Sequence, residues 1–173
     1  TDDTLDINIV RERIQLPDIE YSGMLDDSTG YILLTGFTDK ASSELRSDFQ
    51  TLKKQGMKRM VLDLRGNGGG LMSEAVNILS VFLPKNTLAV TSKGNSAANS
   101  YEYRTSLEPV DTEMPIIVLI DSGSASASEI VAGAIQDHDR GTIMGTRSYG
   151  KGLVQSIRPL PYNGQMKVTT AKY

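Results

Sequence analysis

The chain has 173 residues, 39% of them hydrophobic, and a formal charge of −3 from 18 basic and 21 acidic side chains spread along its length. That size suits one compact unit with a single core, and the lack of a basic stripe argues against nucleic-acid binding. Absence of cysteine removes a disulfide framework, a thiolate metal site and a cysteine nucleophile, while apolar stretches such as Ile116 to Ile120 fall far short of the about 18 residues that span a bilayer.

No signal-peptide pattern opens the chain, and a soluble protein is expected as it stands; Thr1 in place of an initiator methionine leaves room for an upstream region and an extracytoplasmic setting. Ile7, Ile9, Val10, Ile14 and Leu16 in a mixed polar and apolar stretch ending at Pro17 predict a strand leading into a loop. Gly30 to Phe37 is a β-rich run, and Lys40 to Gln55 follows with Leu45, Phe49 and Leu52 at helical spacing before Gly56. Met60 to Leu64 predicts a short apolar strand, the glycine run from Gly66 to Gly70 a turn, and Met72 to Leu83 a helix through Val76, Leu79 and Phe82.

Strand-like segments follow near Leu88 to Ser92 and Ser100 to Arg104, then the continuous apolar strand Pro115 to Ile120 and a helix from Ser124 to Gln136. Three strand-helix repeats imply an α/β fold with a largely buried sheet, and residues 141–173 add three further strand-like runs. Catalytic groups in such folds gather where strands end and helices begin, because helix N-termini present unpaired N–H groups.

Two junctions have the composition for chemistry. In Asp63-Leu64-Arg65-Gly66-Asn67-Gly68-Gly69-Gly70-Leu71, successive glycines allow a backbone to aim N–H groups at developing negative charge, although a tight turn explains such a run equally well. It is not a dinucleotide fingerprint, since Leu71 stands where the third glycine belongs. The second junction, Asp121 to Ile130, places several serines at a helix start, where most serve as caps.

A serine nucleophile needs a base within hydrogen-bond reach. The single histidine, His138, lies in the polar stretch Gln136-Asp137-His138-Asp139-Arg140, which reads as a solvated turn, so a Ser-His-Asp triad is not expected. Lysine can replace histidine where burial lowers its pKa, and Lys151 between Gly150 and Gly152 suits that better than Lys53 or Lys54 on a helix surface. If Lys151 to Gln155 is extended, residues 151, 153 and 155 share a face, and Gln155 can hold the amine. Gly145 to Lys151 also matches the first seven positions of a P-loop, but Gly152 replaces the magnesium-binding hydroxyl and a strand-like run replaces the helix.

Three motifs in this order resemble the carboxy-terminal processing peptidases, also called tail-specific proteases: Leu62 to Gly70 their glycine loop, Ser124-Ala125-Ser126-Ala127-Ser128-Glu129-Ile130 their nucleophile helix, and Tyr149-Gly150-Lys151-Gly152-Leu153-Val154-Gln155 their lysine segment. The resemblance covers nearly the whole chain. It implies Ser126 as nucleophile, Lys151 as base, Gln155 as the residue orienting that lysine, Asp137 as a supporting acid, and the N–H groups of Gly70 and Ala127 as oxyanion hole.

It also implies the Clp protease/crotonase-like core, in which strand-helix units wind into a superhelix, an extracytoplasmic location, and protein or peptide substrates with free C-terminal tails. Residues 1–173 are then one catalytic core, with 1–17 similar to the segment that follows a PDZ domain, and the chain reads as an excised part of a longer peptidase. No metal or organic cofactor is expected, because the sequence shows no cysteine, one histidine and no carboxylate cluster at ligand spacing. The alternatives are a non-catalytic hydrophobic-ligand or peptide-binding module on the same fold and acyl-thioester chemistry of the crotonase type; retention of Ser126, Lys151 and Gln155 together argues against the first.

Overall fold

A computed structural model describes residues 7–10, 16–96 and 100–173. In chain order the elements are β1 (Ile19–Met24), β2 (Thr29–Leu34), α1 (Ala41–Lys54), β3 (Arg59–Asp63), α2 (Met72–Phe82), β4 (Leu88–Gly94), β5 (Tyr101–Arg104), β6 (Ile116–Ile120), α3 (Ala127–Asp137), β7 (Thr142–Gly145), β8 (Leu153–Pro159) and β9 (Gln165–Lys172). Five strands form the main sheet in the order β1-β2-β3-β6-β7, and the other four form a second sheet in the order β5-β4-β9-β8.

Within the main sheet β2, β3, β6 and β7 are parallel, so each return crosses over through a helix, and each crossover advances the sheet by one strand in the same direction. The apolar runs of β3 and β6 suit inner positions of a covered sheet, and Met60, Leu62, Ile116 and Val118 are buried there.

The helices follow from their apolar spacing. In α1, Ala41, Leu45, Phe49 and Leu52 face the core, while Glu44 in the first turn and Lys53 and Lys54 in the last complement the helix dipole. Gly56, at φ 101°, turns the chain after it. The second helix buries nearly its whole circumference, including Ala75, Ile78, Leu79, Val81 and Phe82, because it lies between α1 and α3. Phe49 and Phe82 meet edge to face at 5.6 Å, a contact that contributes about 0.5–1.5 kcal/mol beyond the area it buries.

Three expectations change. Residues 7–10 form no strand, and Ile14 lies outside the described residues, so the expected opening strand is not present where it can be followed. Instead β1 lies at 19–24, pairing antiparallel with β2 at the sheet edge, where half-exposed residues leave little apolar pattern to read. The third helix starts at Ala127, not Ser124, because Ser126 has a φ of 56° that no helical residue adopts. The last two strand-like runs form an antiparallel hairpin that joins the second sheet through Lys93 and Gly94 of β4, away from the parallel sheet.

Candidate active site

The site forms where β3 and β6 end. Beyond β3 the glycine turn is pinned through Asn67, which is fully buried. Its side-chain amide donates to Leu34 O at 2.7 Å, and its Oδ1 accepts the Gly69 N–H at 2.9 Å. Asn67 O accepts the Ala125 N–H at 3.0 Å and the Ser128 hydroxyl at 2.9 Å, tying the turn to the start of α3. Asp121, after β6, adds a second tie: its Oδ1 accepts the N–H groups of Gly66 and Gly123, and these donors hold the carboxyl below its usual range.

Gly69 has a φ of 92°, and a Cβ there would stand 2.6 Å from Ala125 O and 2.9 Å from the Cβ of Ser126. Only glycine lets the turn approach the serine so closely. Gly70 packs against Phe37 through a parallel bridge, with Leu71 N–H donating to Phe37 O at 2.8 Å. Among the described residues the Gly70 N–H has no acceptor, and the Ala127 N–H, at the first helical position, has none within its helix.

The serines separate by what their hydroxyls do. Ser124 donates to Leu64 O at 2.7 Å and Ser128 to Asn67 O, both fully buried. Ser126 is half-buried, and its Oγ lies 2.9 Å from the Tyr173 hydroxyl, either group being able to donate. Its backbone, at φ 56° and ψ −112°, is strained for a side chain with a Cβ, a cost of about 1–3 kcal/mol. One hydrogen bond to a charged acceptor contributes about 1.5–3 kcal/mol, enough to offset that strain. Ser126 N–H makes such a bond, donating to Glu129 Oε2 at 2.8 Å.

Glu129 also receives the opposite side of the site. Its Oε2 accepts the Lys151 N–H at 2.9 Å, and its Oε1 accepts the Gly150 N–H at 2.7 Å and the Ser148 hydroxyl at 2.8 Å. Burial pushes this carboxyl up, but the Ser126, Ser148, Gly150 and Lys151 donors outweigh it and hold it below its usual range.

Lys151 lines a cleft of about 460 Å³ whose wall is the face of α3 bearing Glu129, Gly133 and Asp137, one helical turn apart, with Tyr173 beside it. Gly133 and Ala134 keep that wall low. Among the described residues the Lys151 amine has no hydrogen bond or ion pair; Asp137 shares the cleft without pairing to it.

The expected residues thus divide. Ser126, Ala127 and the glycine turn gather at the N-terminal end of α3, whereas Lys151 and Asp137 line the cleft along that helix, Asp137 in its last turn. Gln155 is exposed on β8, outside the residues lining that cleft, and no hydrogen bond joins it to Lys151. His138 caps the far end of α3, a helix of 11 residues and so about 16 Å from Ser126, where its Nε2 bonds Leu88 O at 2.8 Å. The loop from Thr146 to Gly152 leads into β8 and not into a helix, which removes the P-loop reading.

Three contributors were not singled out from the sequence: Asn67, Glu129 and Tyr173. Glu129 stands three residues after Ser126, the S-x-x-E spacing of a helix start, and that signal was available. Nothing local marks Tyr173, 47 residues from its partner.

A parallel sheet whose crossovers lead to a half-open serine over a glycine turn defines an α/β protein with a candidate nucleophilic serine. Comparison with known proteins gives the family: the model of peptidase family S41 matches residues 28–173, everything from β2 onward, and the chain belongs to that family. It is 43% identical over 176 residues to a carboxy-terminal-processing protease of Bartonella bacilliformis, covering 99% of this chain and 40% of that protein. A carboxyl-terminal-processing protease of a Picosynechococcus species is 38% identical over 173 residues, covering 100% of this chain and 39% of that protein.

The chain therefore spans about two fifths of the length of these relatives. Among solved structures, the photosystem II D1 C-terminal processing protease superposes with a TM-score of 0.78 at 29% identity, over 94% of this chain and 45% of that one. A putative S41 protease from Bacteroides fragilis, at 16% identity and a TM-score of 0.78 over 93% of this chain and 47% of that one, shares the fold. No helix among the described residues is long and apolar enough to cross a membrane.

Proposed function

We propose that residues 1–173 form the catalytic core of a serine endopeptidase that cleaves proteins near their C-terminal tails through a Ser126–Lys151 dyad. The observation that carries this reading is that one carboxylate oxygen, Glu129 Oε2, accepts the backbone N–H of both residues, which ties a strained serine to the segment whose amine, without a hydrogen-bond partner among the described residues, lines the cleft.

In the reaction, Ser126 Oγ exchanges its hydrogen bond with Tyr173 for one with the Lys151 amine, passes it the proton and attacks the scissile carbonyl carbon. The oxyanion takes hydrogen bonds from the Gly70 and Ala127 N–H groups, a reading supported by their lack of other acceptors. Lys151 then returns the proton to the leaving amine, and the acyl-enzyme is hydrolysed by a water that gives its proton to the same lysine. Asp137, on the cleft wall, favours the protonated amine formed midway. The orienting role of Gln155, which lies on β8 outside the cleft lining, rests on the resemblance alone.

The stepwise advance of β2, β3, β6 and β7 supports assignment to the Clp protease/crotonase-like superhelical core. Preference for free tails rests on the resemblance and on the relatives' names, and an extracytoplasmic setting on the resemblance alone. The test is cleavage of matched peptides by the protein in its full length: free tails are cut faster than amidated ones, and equal rates would refute carboxyl-end recognition.

A further inference from the structure

Between the nucleophile and the base stands a carboxylate whose bonds serve both. An ionised carboxylate is acceptor-only, with about four lone-pair positions, and at Glu129 all four are used. Two of the donors belong to the nucleophile and base themselves, at 2.8 Å and 2.9 Å from one atom. The other two, Ser148 and Gly150, belong to the segment that delivers the base.

The helix bearing Glu129 is sunk in the core through Ile130, Val131, Ala134 and Ile135, whereas residues 145–150 are mostly exposed. Besides Glu129, that segment is moored by Thr146 N–H on Ile120 O and Tyr149 N–H on Ser124 O, at 3.2 Å and 3.0 Å. Among the described residues, Glu129 alone accepts hydrogen bonds from the backbone of Gly150 and Lys151.

Resting on the Ser126–Lys151 reading, we propose that Glu129 is a positioning residue of that reaction, a clasp that sets the separation across which the serine proton moves. It touches neither substrate nor the reacting atoms; it acts through the backbones of Ser126 and Lys151. Glutamine at this position would turn an amide NH₂ either toward the Ser126 and Lys151 N–H groups or toward the Gly150 N–H and the Ser148 hydroxyl; only that hydroxyl can reverse and accept, so at least one of the four bonds must break. The titratable groups that line the cleft with Lys151 are Glu129 and Asp137 of α3 and Tyr173 after β9.

The test is a double-mutant comparison in the protein in its full length, reading the rate at which a serine-directed phosphonylating probe labels the protein. In the parent background, Glu129→Gln lowers that rate about 10- to 100-fold, the scale of a 1 Å misplacement, with little change in the probe concentration for half-saturation. In a Lys151→Ala background the same change costs less than about twofold, because there is no base left to misplace.

Ser148→Ala, which removes one donor without altering α3, lowers the rate by a smaller factor that also vanishes in the Lys151→Ala background, and it keeps the test valid if Glu129→Gln fails to fold. An unchanged rate in both single variants overturns the clasp. So does an equal loss in both backgrounds, which marks Glu129 as support for the serine alone and leaves the dyad standing. If Lys151→Ala itself labels at the parent rate, the dyad reading fails, and the clasp with it.

Discussion

The two sides of the cleft are built differently. On the serine side Asn67, Ser124, Ala127 and Ser128 are buried, and their hydrogen bonds knit the glycine turn into the core that also holds α2 and α3. On the lysine side the β8–β9 hairpin leaves Ile157, Leu160, Tyr162 and Met166 exposed, meets β4 at only two positions, and is tied to α3 through Glu129. The proposed nucleophile and oxyanion donors are thus products of folding itself, while the proposed base arrives on an arm that few bonds hold in place. Changes on the serine side should therefore cost stability and activity together, and changes on the lysine side activity alone.

The largest effect expected from this contrast is at Gly69. Its φ is 92°, and a methyl group added there would stand 2.6 Å from Ala125 O, so Gly69→Ala is strained and must push the turn off α3. Chemical denaturation should show a loss of more than about 1 kcal/mol, with labelling of Ser126 nearly abolished. A variant that keeps parental stability would break the comparison at its firmest point.

A smaller effect concerns acid. The folded-state pKa of Glu129 is lowered, so its bonds contribute stability that is fully present above the ordinary glutamate pKa and is lost as pH falls through the lowered value. Thermal melting below the ordinary glutamate range should fall with pH in the parent, and Glu129→Gln should flatten that part of the slope. An unchanged slope would mean the clasp does not bear the charge assigned to it.

The smallest effect falls on Tyr173. If its hydroxyl only competes for Ser126 Oγ, Tyr173→Phe frees the serine and labelling rises by up to about tenfold, the worth of one ordinary hydrogen bond, with stability little changed. A fall in rate would instead make Tyr173 a partner in the chemistry and would sharpen the lysine side into a three-residue arrangement.

What was legible in the sequence follows the same division. The helices α1 and α2 were readable because Leu45, Phe49 and Leu52, and Val76, Leu79 and Phe82, repeat at the helical period. Strands β3 and β6 were readable as apolar runs bounded by a glycine turn and a proline. Ser126 and Lys151 stood out by their glycine and helix-start surroundings. The start of α3 was misjudged because the backbone of Ser126 is set by Glu129 and the glycine turn, contacts that no propensity of Ser124 or Ala125 reports. The second sheet was illegible because β4 meets β9 across more than seventy residues of chain through only two pairs, Lys93 with Lys172 and Gly94 with Ala171. Asp137 at the cleft follows from its helical phase with Glu129, whereas Tyr173 near Ser126 depends on that long-range pairing.

The central claim is that Ser126 is the nucleophile and Lys151 its base, and mass spectrometry of the probe adduct in the full-length parent and in Lys151→Arg tests it most directly. Arginine keeps the charge but cannot give up its proton, so the parent should carry one adduct on Ser126, and Lys151→Arg should acquire it at least about 10³-fold more slowly. An adduct on another residue, or equal labelling of Lys151→Arg, would contradict the account.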